Sequence, residues 1–264
     1  MNKQGRSGIE WTHVYGPNTG YTWNPVAGCL HECQWEMPDG SIAECYAKTI
    51  AEGLASAAYP QGFDYHYWHP ERLDEPLKLK TPAGIFCDSM SDLMGSNVPA
   101  WQIEQVIDVM RRADWHQFQL LTKNAPRLRR FEWPQNVWLG VSAPPSYMFG
   151  TGKRWSDDQQ YIWYDKALEC LGQTNATVKW TSIEPLSFDV SLLIKQYADL
   201  LDWVVIGAAS RGRYYYQPEG LHLEKVLNRC QARNIPVFYK GNLRWLVEEI
   251  GLPWREEFPV LEAI

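Results

Sequence analysis

The sequence predicts an α/β fold, a partial (βα) barrel of six to seven mostly parallel strands, on three observations. Short apolar runs of four to six residues alternate with helix-patterned stretches six or seven times, which is the rhythm of parallel βαβ units. The 264 residues are 45% hydrophobic, enough for one barrel-sized core. Neither a Gly-x-Gly-x-x-Gly stretch after a strand nor a P-loop occurs, so the two commonest phosphate cradles of other α/β folds are missing. The expected organisation is one domain over 1–264, with an irregular lead-in at 1–20 and a helical tail at 241–264.

Taken in order, the elements follow from local pattern. Residues 1–20 contain Gly, Asn and Pro and no sustained periodicity, and so read as irregular. Tyr21 to Val26 is the first strand. A cysteine-bearing loop follows, interrupted by Met37-Pro38-Asp39-Gly40, a turn by its Pro and Asp-Gly content. From Cys45 to about Ala58, Ala47, Ile50, Ala51 and Leu54 recur at helical spacing. Gly84 to Ser89 is the second strand, and Pro99 opens a helix whose Ile103, Val106, Ile107 and Met110 share one face. Phe118 to Leu121 and Val137 to Ser142 are the third and fourth strands, and a helix runs from Gln159 to about Leu171. Val178 to Glu184 is the fifth strand, Trp203 to Gly207 the sixth and Pro236 to Lys240 the seventh. Helices are expected around Leu192 to Leu201, over Leu221 to Arg233, and from Leu243.

The net charge of −6 argues against a protein that coats nucleic acid, because phosphate binding relies on clustered Lys and Arg. No apolar run reaches the roughly eighteen residues of a membrane span, and Met1 to Ser7 lack a secretory apolar segment. A cytoplasmic setting with no membrane partner is therefore expected, and for a phage-encoded chain the host cytoplasm. Thiols stay reduced there, so clustered cysteines point to metal binding or chemistry rather than disulfides. Three of the six cysteines, Cys29, Cys33 and Cys45, fall within seventeen residues. Cys87, Cys170 and Cys230 are isolated in apolar stretches and belong to the fold. The 14 Trp and 14 Tyr are either barrel filling or stacking surfaces for a planar ligand.

Parallel α/β sheets bind ligands at the carboxyl ends of their strands. Polar residues recur there: the three cysteines, Ser89 and Asp92, Thr122 and Lys123, Ser142, Glu184, Ser210 and Lys240. Each alone is compatible with capping a helix or bonding a loop, the first reading for Ser89 and Ser142. Together they outline a site. Three thiolates suit either a zinc site completed by His31 or His13, or a [4Fe-4S] cluster with one iron left open.

A set of collinear motifs carries a resemblance. Glu10-Trp11-Thr12, Thr22-Trp23-Asn24-Pro25-Val26, Gly28-Cys29, Cys45-Tyr46-Ala47, Pro70-Glu71-Arg72-Leu73, Ser89-Met90-Ser91-Asp92-Leu93, Leu121-Thr122-Lys123, Val137 to Ser142, and Ser182-Ile183-Glu184-Pro185-Leu186 resemble a phage and bacterial family of three-cysteine-motif proteins. That family is similar to radical SAM enzymes, and the likeness runs from about residue 9 to 240. It implies that Cys29, Cys33 and Cys45 ligate a [4Fe-4S] cluster and that S-adenosylmethionine chelates the open iron. An external electron donor would reduce the cluster, and a 5′-deoxyadenosyl radical would abstract hydrogen from a substrate. It further implies cofactor contacts from Ser89, Asp92 and Tyr46, and cofactor or substrate contacts from Lys123, Ser142 and Glu184, with Lys123 and Glu184 as catalytic candidates. Ser210 ends Gly207-Ala208-Ala209-Ser210, where the family usually carries Gly-Gly-Glu-Ser. The eleven residues between Cys33 and Cys45 exceed the usual spacing, so the loop is expected to bulge around Pro38-Asp39-Gly40.

Lys123, Arg127, Arg129 and Arg130 after the third strand, and Arg211, Arg213 and Tyr214 to Tyr216 after the sixth, interleave basic and aromatic groups. The mixture suits a nucleotide or a nucleic-acid strand, or else a solvated helix face with loop packing. The phage resemblance suggests modification of a base in DNA, for example an isomerase acting on a glycyl adduct of a modified thymidine. Two other readings stay open: a zinc-stabilised, non-enzymatic module binding nucleic acid or protein, and a nucleotide-binding barrel whose cysteine site is empty.

Overall fold

Seven parallel strands lie side by side in chain order in the computed structural model, which describes all residues except 6, 7, 38, 213 and 261–264. The sheet comprises β1 (Asn2–Lys3), β2 (Gly20–Trp23), β3 (Gly84–Cys87), β4 (Gln117–Thr122), β5 (Val137–Ser142), β6 (Val178–Ile183), β7 (Trp203–Ile206) and β8 (Val237–Tyr239). Only β1 runs antiparallel, pairing Asn2 with Thr22. Each later strand pairs with its predecessor, with Phe86 against Gln119, Leu120 against Leu139, Trp180 against Gly140 and Val205 against Phe238. The order of an α/β partial barrel is therefore as expected.

Helices α1 (Tyr46–Glu52), α2 (Glu75–Lys78), α3 (Ala100–Arg112), α4 (Asp157–Gly172), α5 (Ser191–Gln196), α6 (Gly220–Gln231) and α7 (Arg244–Glu249) connect or follow the strands. On α3, Ile103, Val106, Ile107 and Met110 are all buried, the face their spacing required. Ser156 caps α4 with a reciprocal Ser156–Gln159 capping box. One connection differs in kind. Between β4 and β5 the chain makes only a 3-10 turn, Ala125–Arg130, instead of a full helix.

Two end regions depart from the sequence reading. The lead-in contains β1 and a 3-10 turn at Glu10–Thr12, elements too short to leave a periodicity. The tail is helical only to Glu249. Beyond it, Tyr239 N–H donates to Arg255 O at 2.9 Å and Glu257 N–H to Val237 O at 3.1 Å, so the chain runs along the outer edge of β8. Pro253 and Pro259 bar a continued helix, and the segment covers backbone that an open edge would expose.

Side-chain alternation divides the sheet. The outer face packs Ile85, Phe118, Leu139, Val204 and their neighbours against the helices. The inner face carries Phe86, Trp138, Trp180, Val205 and Phe238, with Trp11 and Trp203 in the same cluster. Trp11 meets Phe86 at 4.6 Å and Trp180 at 5.2 Å between ring centroids. Each buried indole removes roughly 200 Å² from water, about 5 kcal/mol before conformational entropy is counted. Barrel filling is thus the role of these four tryptophans. The Trp180 indole lies where a β-carbon on Gly140 would stand, 2.5 Å from its nearest ring atom, and so requires glycine there.

Candidate functional site

Continuing the inner-face alternation past the aromatic layer leads to polar groups. Leu121 is followed two residues on by Lys123, Gly140 by Ser142, Trp180 by Ser182 and then Glu184, Val205 by Gly207, and Phe238 by Lys240. The carboxyl mouth of the barrel is therefore polar over an aromatic floor.

Two polar groups organise it. The first is centred on Asp92, whose Oδ2 accepts from His31 Nε2 at 2.7 Å and Lys123 N–H at 2.9 Å, and whose Oδ1 accepts from Met94 N–H at 2.9 Å. Thr122 Oγ1 lies 2.7 and 2.9 Å from the two oxygens. Burial works to raise the Asp92 pKa, but the hydrogen bonds from His31, Lys123 and Thr122 hold it below the usual carboxylate value. This carboxylate is engaged within the protein on both oxygens. It ties the cysteine loop, through His31, to the end of β4. Arg127 is likewise committed inward, donating to the carbonyls of Gly95 and Val98, the latter at 2.8 Å.

The second group faces it from the last strands. Lys240 Nζ lies 2.8 Å from Glu184 Oε2, and Ser182 Oγ donates to Glu184 Oε1 at 2.9 Å. The pair lies over Gly207, where an added β-carbon would come within 3.1 Å of Glu184 Cγ and 3.2 Å of Lys240 Cδ. Gly241 N–H donates to Glu10 at 3.0 Å, joining the lead-in to the last strand. Burial opposes the charge of Lys240, yet Glu184 and Glu10 leave its pKa raised. At Lys123 burial is likewise outweighed, by Cys33, Cys45 and Asp92. Both lysines are enclosed by protein but not sealed from solvent.

Of the other expected site residues, Tyr46 donates its hydroxyl to Ser89 O at 2.5 Å while its ring stays 54% exposed. Ser89 Oγ donates to Asn24 Oδ1 at 3.1 Å, and Ser142 is buried with its hydroxyl directed to Ala143 O. Ser210 is exposed on a hairpin that pairs residues 209–211 with 214–216. The same hairpin carries Tyr214 and Tyr215, 74% and 58% exposed, and Tyr216, which donates to Asp39 Oδ2. Arg213 and Pro38 lie outside the described residues. Sequence reasoning weighed His31 only as a zinc ligand and quoted Glu10 only within a motif, because each finds its partner far along the chain.

The cysteines share a neighbourhood without making a metal site. The insert after Cys33 is a β-hairpin that pairs Gln34–Glu36 with Ile42–Glu44, and Cys45 N–H donates to Cys33 O at 3.0 Å. Cys45 stands at the amino end of α1, while Cys29 N–H is held by Phe63 O at 2.9 Å. Burial raises the thiol pKa of Cys29, and that of Cys33 to about 12. Among the described residues no group of three or more His, Cys, Asp or Glu is arranged to hold a metal ion.

Fold and site together define a parallel partial barrel of the radical-SAM-like architecture with a polar carboxyl mouth. The chain belongs to the family described as "Protein of unknown function (DUF5131)", whose match spans residues 6–252. No curated protein matches it by sequence. Among solved structures it is similar to a cysteine-to-serine mutant of spore photoproduct lyase, with 11% identity, a TM-score of 0.53, and coverage of 89% of this chain and 80% of that one. It is also similar to a radical SAM methyltransferase from Sphaerobacter thermophilus, with 13% identity, a TM-score of 0.43, and coverage of 85% and 67%. At such identity the first shows the fold alone, and the second falls below a useful likeness.

Several expectations are therefore corrected. The resemblance to three-cysteine-motif radical SAM proteins reduces to a likeness of fold. The expected [4Fe-4S] cluster, S-adenosylmethionine on its open iron and the external electron donor fall with the missing donor arrangement. So do radical SAM catalysis, the isomerase on modified thymidine in phage DNA, and the zinc-stabilised alternative. Among the described residues no helix is long and apolar enough to cross a membrane.

Proposed function

We propose that the carboxyl mouth of the barrel binds a nucleotide or a nucleic-acid strand, with the cysteine loop as a structural part of the rim. One observation carries this reading: two lysines held protonated at the mouth, Lys123 and Lys240, on a chain that leaves Tyr46, Tyr214 and Tyr215 exposed. Cations set among protein atoms attract phosphate more strongly than surface lysines, because less solvent screens them. Exposed tyrosines provide stacking faces for bases. The overall negative charge disfavours indiscriminate binding to duplex. The reading takes 1–264 as one domain in a cytoplasmic setting, where the thiols remain reduced.

Fluorescence polarisation with a labelled single-stranded oligonucleotide, competed by nucleoside monophosphates and by duplex, tests this. Single strand should bind more tightly than duplex, and Tyr214→Ala should weaken binding by about fivefold or more, the scale of one lost stacking contact. Each phosphate neutralised contributes about −0.7 to the slope of log K against log salt for single strands, so Lys123→Gln should flatten that slope by about 0.7. Unchanged affinity and slope in both variants would refute the proposal.

A further inference from the structure

Beside the mouth, between His31 of the cysteine loop, the turn that follows β4 and α4, lies a cavity of about 370 Å³. The connection after β4 that lines it is one 3-10 turn, Ala125–Arg130, where a βα unit would ordinarily supply a full helix. Trp163, Lys166 and Ala167 of α4 line the wall beside that turn.

The lining has two chemistries. Lys123 and Lys166 bring ammonium groups, whereas the lysine ion pairs among the described residues are those of Lys48, Lys225 and Lys240. Among the described residues neither lysine of the cavity has a salt-bridged partner, and Asp92 is the carboxylate whose charge acts on Lys123. The second component is aromatic. His31, fixed by Asp92, meets Phe149 at 5.6 Å, Phe149 meets Trp155 at 6.5 Å, and Trp155 meets Trp163 at 6.3 Å. Of these rings, His31, Phe149 and Trp163 line the cavity itself.

Phe149 supplies an independent pointer. Its φ is +62°, a backbone conformation that bulky residues rarely adopt. It is nevertheless 50% exposed, with its N–H donating to His31 O at 2.7 Å. Residues held in sparsely populated backbone regions cluster at active sites and ligand clamps, and this one holds a large ring at the edge of the cavity.

We propose that this lateral cavity is a second binding site, for a small planar aromatic molecule bearing a phosphate. The ring lies against Phe149 and Trp163, and the anion lies between Lys123 and Lys166. The site goes beyond the mouth reading: it shares Lys123 with the mouth but needs neither the tyrosine hairpin nor Lys240. Its volume falls within the range of small-molecule pockets, about 300–1,000 Å³.

Isothermal titration calorimetry on the full chain tests the site, with phenyl phosphate as probe and inorganic phosphate as its ringless counterpart. Phenyl phosphate should bind at least about fivefold more tightly than inorganic phosphate, the scale of one aromatic stacking contact. Lys166→Glu should weaken it by about tenfold or more, and the same charge change at exposed Lys195 on α5 by less than about twofold. Phe149→Gly, which takes the positive φ without strain, should weaken binding by about fivefold or more. The proposal is overturned if phenyl phosphate does not bind, if inorganic phosphate binds as well, or if Lys166→Glu and Lys195→Glu have equal effects. Binding that survives Phe149→Gly also overturns it. Lys123 is common to both sites, so the two readings are told apart by Lys166→Glu and Phe149→Gly, which act on phenyl phosphate at this cavity, and by Tyr214→Ala, which acts on the oligonucleotide at the mouth.

Discussion

Asp92→Asn isolates the contribution of the knot that holds the cysteine loop. The carboxylate accepts from two backbone N–H groups on different oxygens, Met94 at 2.9 Å on Oδ1 and Lys123 at 2.9 Å on Oδ2. An amide has a single acceptor oxygen. In one orientation its NH2 faces the Lys123 N–H, and in the flipped one it faces the Met94 N–H, so one buried donor loses its partner either way. An unsatisfied buried donor costs about 1–3 kcal/mol, and the surviving bonds fall from charge-assisted to neutral strength, giving a total of about 3 kcal/mol. At a urea slope of about 3 kcal/mol per molar, the unfolding midpoint at neutral pH should drop by about 1 M with the slope unchanged. The pH dependence checks the same residue. With its folded pKa below 3.8, Asp92 contributes stability that is present above 3.8 and lost as pH falls through the folded value. Asp92→Asn should remove that acid-side loss. Amide exchange over residues 29–33 should also quicken, because His31 loses its anchor. A destabilisation below about 0.5 kcal/mol would refute the assignment of Asp92 as a knot.

Asp88 has the opposite sign. It is 3% exposed, with Oδ1 accepting from Val26 N–H and Oδ2 unpartnered, and burial raises its pKa well above 3.8. Its contribution is therefore complete below pH 3.8 and lost as pH rises through the folded value. Asp88→Asn, whose side chain tolerates the φ of +59°, should gain stability over the wild type as pH rises from 4 to 8 in thermal melts, and a gap that narrows would contradict this. Gly140→Ala places a β-carbon 2.5 Å from the fully buried Trp180 ring and should cost about 1–3 kcal/mol by urea unfolding; a neutral result would mean that the indole has room to move. Glu184→Gln removes the partner of Lys240, a pair only partly exposed, and should cost about 1–3 kcal/mol. Because the folded pKa of Lys240 is raised, the pair's stabilisation is complete below 10.5 and lost as pH rises through the folded value. Alkaline melts in which the variant keeps the wild-type profile would show that Glu184 does not hold that charge.

Much of the frame was legible along the chain. Buried parallel strands are short β-branched and aromatic runs, and those beginning at Gly84, Val137, Val178 and Trp203 coincide with strands of the structure. The helix over Ala100–Arg112 announced itself through its apolar face. Strand-end polarity also directed attention to Lys123, Glu184 and Lys240, since alternation carries an inner-face position into the mouth. Elements of two or three residues, such as Asn2–Lys3, leave no such pattern.

What could not be read is set by partners distant in sequence. Asp92 and Lys123 lie 31 residues apart, and Asp92 and His31 lie 61 apart. Nothing local distinguishes a carboxylate that meets a ligand from one already bonded on both oxygens. The cysteine spacing suggested a metal, but whether three thiols converge depends on the hairpin between Cys33 and Cys45 and on the Phe63 carbonyl that holds Cys29. The wall of the lateral cavity joins residue 31 to residues 149 and 163. The sequence by itself determined the order of strands and helices and the polar character of their ends, because burial periodicity is local. Only the tertiary structure decided which polar groups answer one another and which remain open to a ligand, because that depends on distances through space between segments the chain keeps apart.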